Sequence, residues 1–272
     1  MRRDTTLRRG LLTAVGVLIL CLMLFPVYWM INASFQTGGN TLSGAIFPLE
    51  PTLEGYRSAI EDQGQNLITS LIIAAGTVVF SLALAAPCAY GLAQFRFRWT
   101  GVALLAILIS QMIPGIVIAN ALYTAYERIG LLNSIPGLIL ANSTASIPFA
   151  VLIMRSFMLA LPPSLVEAAR VDGANQFRAF VSVVLPVSRN SLITAGLFTF
   201  LFSWSDFLFA LTLTTTADLR PVTLGIYEYL GTQVQNWSAV MATAVLSAIP
   251  AIVLLVAAQK YVAAGIAGGA VK

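Results

Sequence analysis

The sequence predicts an all-α polytopic membrane protein with six transmembrane helices. Three observations carry that reading: the composition, six long apolar stretches, and a one-sided distribution of basic residues. Of 272 residues, 58% are hydrophobic and 10% are charged. A soluble domain carries about 25% charged residues. A water-soluble fold has too little interior to hide this much apolar surface, and a bilayer removes that limit.

A helix crossing a hydrocarbon core of about 30 Å needs about 20 apolar residues. Stretches of that kind run from Leu11 to Ser34, Leu67 to Ala93, Val102 to Ala125, Ile135 to Met154, Leu192 to Leu213 and Ala239 to Ala258. The first follows Arg2, Arg3, Arg8 and Arg9, as a secretory leader would. Its apolar run is longer than a leader's and no small-residue cleavage site follows, so it reads as a retained helix. Pro26, Pro87, Pro114, Pro148 and Pro250 lie inside these stretches and read as kinks.

Cytoplasmic loops carry the excess of Lys and Arg. With the N-terminus inside, 12 of the 15 basic residues are cytoplasmic, and only Arg57, Arg128 and Arg220 are outside. The acids lean the other way: Glu50, Glu54, Glu61, Asp62, Glu127, Asp218 and Glu228 fall outside. Both termini are therefore expected in the cytoplasm. The net charge of +4 follows from this topology and marks no nucleic-acid surface. The whole chain, 1–272, reads as one membrane domain with core helices over about 67–260 and a cytoplasmic loop over 155–190.

Several chemistries are excluded. There is no histidine, the usual general base and metal ligand near neutral pH. A phosphate-binding loop ends in Gly-Lys-Ser/Thr, and neither lysine, Lys260 or Lys272, follows a glycine. Any ATP that drives this protein is hydrolysed on another chain. Cys21 and Cys88 lie within apolar runs and read as small buried hydrophobes. No catalytic residue and no metal site is expected.

The segment between the fourth and fifth stretches, Leu161 to Pro186, is the most informative. Pro162 and Pro163 end the preceding helix. Ser164 and Glu167 have the spacing of a capping box, predicting a short helix from Leu165 to about Asp172. Gly173 is placed to close it in a left-handed conformation, and Asp172 could cap the next helix. That second helix is expected from Asn175 to Val184, ending before Pro186. Its Phe177, Phe180, Val181 and Val184 share one face. Ala168 and Ala169 leave the first helix slim enough for close docking.

Glu167-Ala168-Ala169, followed by Asp172-Gly173-Ala174 and closed by Leu185-Pro186, resembles the EAA loop of binding-protein-dependent ABC importer permeases. The Asp-Gly-Ala variant resembles the carbohydrate-uptake branch, which holds the maltose-type permeases. Trp204-Ser205-Asp206, Pro221-Val222-Thr223-Leu224-Gly225 and the tail from Gln259 to Lys272 resemble further segments of that family. The resemblance implies the type I importer permease fold, with the EAA loop as a coupling helix seated in a cytoplasmic ATPase. It implies two ATPase subunits holding ATP and Mg, with no cofactor on this chain. A second permease chain in a heterodimer, an extracytoplasmic solute-binding protein, and a carbohydrate such as an oligosaccharide, disaccharide, polyol or sugar phosphate complete the set. It places the chain in a bacterial or archaeal inner membrane, among lipid, and Val271 and Lys272 against the ATPase.

Asp206 is the one acid well inside an expected span. A charge there is costly and points to a pathway or a structural partner. Gln111, Asn120, Asn142, Ser143, Ser203 and Trp204 are further candidates for a substrate pathway, although polar residues in membrane helices more often join helices together. A stand-alone secondary transporter, the competing class, would need its own coupling site near the midplane, for which Asp206 alone is available.

Overall fold

Every regular element in the computed structural model is helical among the described residues, which are 3–37, 46–48, 50–95, 97–216, 219–231 and 236–270. The elements are α1 (Arg3–Ser34), α2 (Glu54–Gln94), α3 (Thr100–Ser110), α4 (Gly115–Ile129), α5 (Ile135–Met158), α6 (Pro163–Val171) and α7 (Gln176–Ala179). A π-helical turn (Phe180–Val184) leads to α8 (Leu185–Val187), α9 (Arg189–Trp204), α10 (Leu208–Leu213), α11 (Val222–Gly231) and α12 (Trp237–Ala270). Four helices are long and apolar enough to cross a bilayer: α1 from Arg8, α2, α5, and α12 as far as Tyr261. Two bent pairs raise the number to six if each acts as one span: α3 with α4, and 176–187 with α9. The 24 residues of α5 are about 36 Å long, enough for the hydrocarbon core.

Two expected spans are broken. The stretch Val102 to Ala125 forms two helices, α3 and α4, that meet at 91°. Pro114 is the cause. It has no N–H to continue the helix and forces extended backbone on the residue before it, and it becomes the N-cap of α4 with ψ 132°. The stretch Leu192 to Leu213 is interrupted at Ser205–Phe207, between α9 and α10.

The chain falls into two compact units, Met1–Gly64 with Ile226–Ile249, and Gln65–Gly225 with Pro250–Lys272. In the first, α1 is exposed from Arg8 to Tyr28 and buried at Asn32–Ser34. There the Ser34 and Tyr56 hydroxyls lie 2.8 Å apart. A side chain at Gly55 would meet the Ser238 carbonyl at 2.8 Å, so this close approach needs glycine. The Tyr229 hydroxyl donates to the Asp62 carboxylate at 2.8 Å.

The second unit has two apolar cores. One joins Ala85, Ala89 and Tyr90 of α2 to Val151, Met154 and Met158 of α5, with Val184 and Ala195. The other joins Ile73, Tyr126, Leu138, Phe209 and Leu213. Asn133, the one non-glycine residue with positive φ among those described (56°), fastens the link between α4 and α5 to the end of α10. Its Oδ1 accepts from Thr215 N at 2.6 Å and Thr216 N at 3.1 Å.

Candidate functional site

The segment from Pro163 to Val187 is folded and anchored, and its outward side is open. α6 begins one residue before Ser164 because Pro163, with φ already fixed near the helical value, occupies the first helical position. The N-cap is Pro162 and no side chain caps it, so the expected capping box between Ser164 and Glu167 is not formed. The C-terminus is as the sequence foretold. Gly173 has φ +86°, Gly173 N donates to Arg170 O at 3.1 Å, and Ala174 N donates to Ala169 O at 2.9 Å. This pair of bonds is a Schellman motif, which satisfies carbonyls at the helix end.

The next helix is capped by Asn175, whose Oδ1 accepts from Arg178 N at 2.8 Å; Asp172 is the C-cap of α6 instead. The second helix does not end before Pro186. The wide π turn at 180–184 carries the chain through Leu185 and Pro186 to Val187. Proline has no N–H to donate, and the shifted register lets it be absorbed there.

Two hydrogen bonds join the ends of α2 and α5 beneath the segment, and a ring contact with apolar packing holds the segment itself to them. Gln94 Nε2 donates to Met158 O at 2.7 Å, satisfying a carbonyl at the end of α5. Arg155 Nε donates to Leu92 O at 3.2 Å. The Phe180 ring lies 5.2 Å from that of Tyr90, and Leu161, Val166 and Leu185 pack on the same core. On the other side Glu167, Ala168, Asp172, Gly173 and Pro186 are exposed, with Ala169, Ala174 and Leu185 half-buried. Val171 is 88% exposed and Phe177 75% exposed, an apolar surface beside charges that water alone does not favour. Val271 and Lys272 lie outside the described residues.

A polar seam runs between α2, α5 and α9. Ser81 Oγ donates to Ser143 Oγ at 3.2 Å, and Ser203 Oγ to Thr77 Oγ1 at 3.2 Å. Asp206 sits at the break after α9. Its carboxylate accepts from Phe209 N at 3.2 Å and Ala210 N at 3.1 Å, capping α10, and it is hydrogen-bonded to Asn142. Its own carbonyl accepts from Thr223 Oγ1 at 2.6 Å. Trp204 is buried and stacked on Phe200 at 5.5 Å. Of the candidate pathway residues, Asp206 and Asn142 are brought together and Ser143 lies beside Asn142 in this seam. Gln111, at the break before α4, and Asn120 are exposed elsewhere.

Gln94, Arg155, Asn133 and Asn175 were not singled out by the sequence. Asn175 could have been found, as an Asn just after a glycine turn and before an apolar periodic run. The others act across distant parts of the chain and leave no local pattern.

Residues 79–268 match the family described as "Binding-protein-dependent transport system inner membrane component". The chain belongs to this family. The permease is similar to the trehalose/maltose transport system permease protein MalG of Thermococcus litoralis, at 30% identity over 99% of both chains. It is 32% identical to the diacetylchitobiose uptake system permease protein DasC of Streptomyces coelicolor over 92% of both. Its fold resembles a chain from the crystal structure of a bacterial ABC transporter that imports the acidic polysaccharide alginate. The TM-score is 0.79 at 23% identity, covering 96% of this permease and 98% of that chain. The permease is thus a multi-pass inner-membrane transport subunit, and ATP hydrolysis in such importers takes place on a separate chain.

Proposed function

We propose that this permease imports a carbohydrate delivered by an extracytoplasmic binding protein, with six spans and both termini in the cytoplasm. It pairs with a second permease chain, and two ATPase subunits holding ATP and Mg dock on its cytoplasmic side. Relatives named for trehalose, maltose and diacetylchitobiose support the substrate class. A single permease domain spanning 1–272 carries these roles.

One observation carries the coupling mechanism: α6 presents Glu167 and Ala168 outward, while Val166 and Phe180 of the segment pack on the core of α2 and α5, whose ends Gln94 joins beneath it. An ATPase cleft that grips the outer face therefore pulls on the spanning helices without an intervening flexible joint. Ala168 and Ala169 allow close approach, Gly173 sets the turn, and Val171 and Phe177 supply apolar contact area. Asp172, Ala174, Leu185 and Pro186 shape the loop, and Val271 and Lys272 add a second contact. Asp206, Asn142 and Ser143 belong to the scaffold that positions the pathway helices. Gln111, Asn120 and Trp204 remain candidates for contact with the passing ligand.

Charge reversal at the docking face tests this. Glu167→Lys is expected to abolish uptake and to lower recovery of the ATPase with the tagged permease, while the chain still inserts. Normal uptake by that variant would overturn the assignment.

A further inference from the structure

We propose that Arg98–Trp99 and Lys260–Tyr261 form binding sites for anionic phospholipid headgroups in the cytoplasmic leaflet. The leaflet assignment rests on the proposed topology of six spans with both termini inside; the chemistry rests on geometry.

Arg98 and Trp99 lie in the short link between the end of α2 at Gln94 and the start of α3 at Thr100. The Arg98 guanidinium sits over the Trp99 ring, 5.2 Å from its centroid. Trp99 is 63% exposed, and Phe95 and Phe97 beside it are exposed as well, their rings 6.0 Å apart. The same pairing recurs in α12, whose one charged residue is Lys260. There Lys260 Nζ is 5.0 Å from the Tyr261 ring centroid, and Lys260 is exposed.

Indole and phenol rings settle at headgroup depth, one side against acyl chains and the polar edge towards water. A cation over such a ring is held at that depth while its remaining N–H donors stay available to phosphate oxygens. Charge pairing favours an anion. Among the described residues the one ion pair is Arg57 with Glu61, at 2.9 Å. Neither Arg98 nor Lys260 has a carboxylate partner among the described residues. A headgroup phosphate carrying net negative charge supplies the missing counterion, and the neighbouring aromatic surface accepts the top of the acyl chain. Each cation near an anionic leaflet is worth about five-fold in affinity.

The test uses the assembled transporter, purified with its native partner chains. Retained lipid is counted by native mass spectrometry after exchange into equal amounts of phosphatidylglycerol and phosphatidylcholine, for wild type, Arg98→Gln, Trp99→Leu, Lys260→Gln and the control Arg57→Gln. Wild type is expected to keep phosphatidylglycerol preferentially. Arg98→Gln and Lys260→Gln are each expected to lower that preference about five-fold, and Arg57→Gln to leave it unchanged. Added inorganic phosphate is expected not to compete. Unchanged preference in both cation variants would overturn the proposal, as would full competition by inorganic phosphate. So would loss of the ATPase subunit in place of lipid, which would make these residues a protein contact. Gly101→Cys, on a background without Cys21 and Cys88, separates the two readings. Labelling by an impermeant maleimide from the outside would reject the topology. Labelling only from the inside, with lipid preference unchanged in the variants, would reject the lipid sites alone.

Discussion

Asp206 shows how an acid within an expected span is accommodated. An uncompensated carboxylate in a span is expensive, yet here two backbone N–H groups of α10 and Asn142 receive it. The same residue ties α9 to α11 through Thr223. The break in the helix and the acid explain each other, because α10 would otherwise begin with unsatisfied donors. Asp206→Ala should cost about 1 kcal/mol of stability, the usual loss for a removed cap, read as a lower thermal unfolding midpoint. Asp206→Asn keeps an acceptor and should retain most of that stability. If Asn fails as badly as Ala in uptake while the complex assembles normally, the charge itself acts in transport. The sequence revealed that Asp206 was exceptional but not why, since its partners Asn142 and Thr223 are brought to it only by tertiary folding. Tyr229 makes a similar point outside the spans. Burial first, then the hydrogen bond to Asp62 and its charge, push its hydroxyl up to about 12. Because the folded value lies above the unfolded one near 10, this contact's contribution is fully present below pH 10. It is lost as pH rises through about 12. Absorbance titration of tyrosinate should show one late-titrating group fewer in Tyr229→Phe than in wild type.

Among the elements, those governed by local chemistry were legible and those governed by long-range contacts were not. Gly173 announced its left-handed turn because only glycine adopts that conformation without strain, and the hydrogen bonds at Gly173 and Ala174 complete it. Pro114 was visible as a proline but not as a 91° corner, because a kink and a break have the same local sequence. Ser164 and Glu167 had the right spacing for a cap, and Pro163 displaced the helix start by a residue or two. The bond by which Gln94 joins the end of α2 to Met158 at the end of α5 could not be read from spacing at all. That bond gives a prediction at this scale. Gln94→Leu removes the donor to Met158 O, costing about 1 kcal/mol, and loosens the join of α2 to α5 beneath the segment without touching its outer face. ATPase recovery should be unchanged, while more ATP is hydrolysed for each ligand imported. Loss of the ATPase subunit instead would show that Gln94 belongs to the docking surface and not to its support.

For the whole molecule, the question is whether the corner between α3 and α4 is a crossing or a re-entrant hairpin, since both readings fit a bend of 91°. The charges favour one of the two. If α3 and α4 together cross the bilayer, 12 basic residues lie on the inner side and 3 on the outer. If they return to the side they entered, every later loop changes sides. Arg155, Arg170, Arg178, Arg189, Lys260 and Lys272 would then lie outside, Arg128 and Arg220 inside, and the split would fall to 8 against 7. Insertion follows the Lys/Arg bias of short loops, and a near-even split would leave orientation undetermined. The crossing is therefore favoured, with α4 emerging on the side opposite the Arg98 link. The same choice sets the side of the exposed α6 face, so one labelling experiment reads both. Cysteines placed singly at Gly130 and Phe177, without Cys21 and Cys88, should differ in their reaction with an impermeant maleimide. Gly130→Cys should label in intact cells and Phe177→Cys only after the membrane is opened. The reverse pattern would make α3 and α4 a re-entrant pair and move the Glu167 segment away from any cytoplasmic ATPase, whereas equal labelling of both would mean that α5 does not cross.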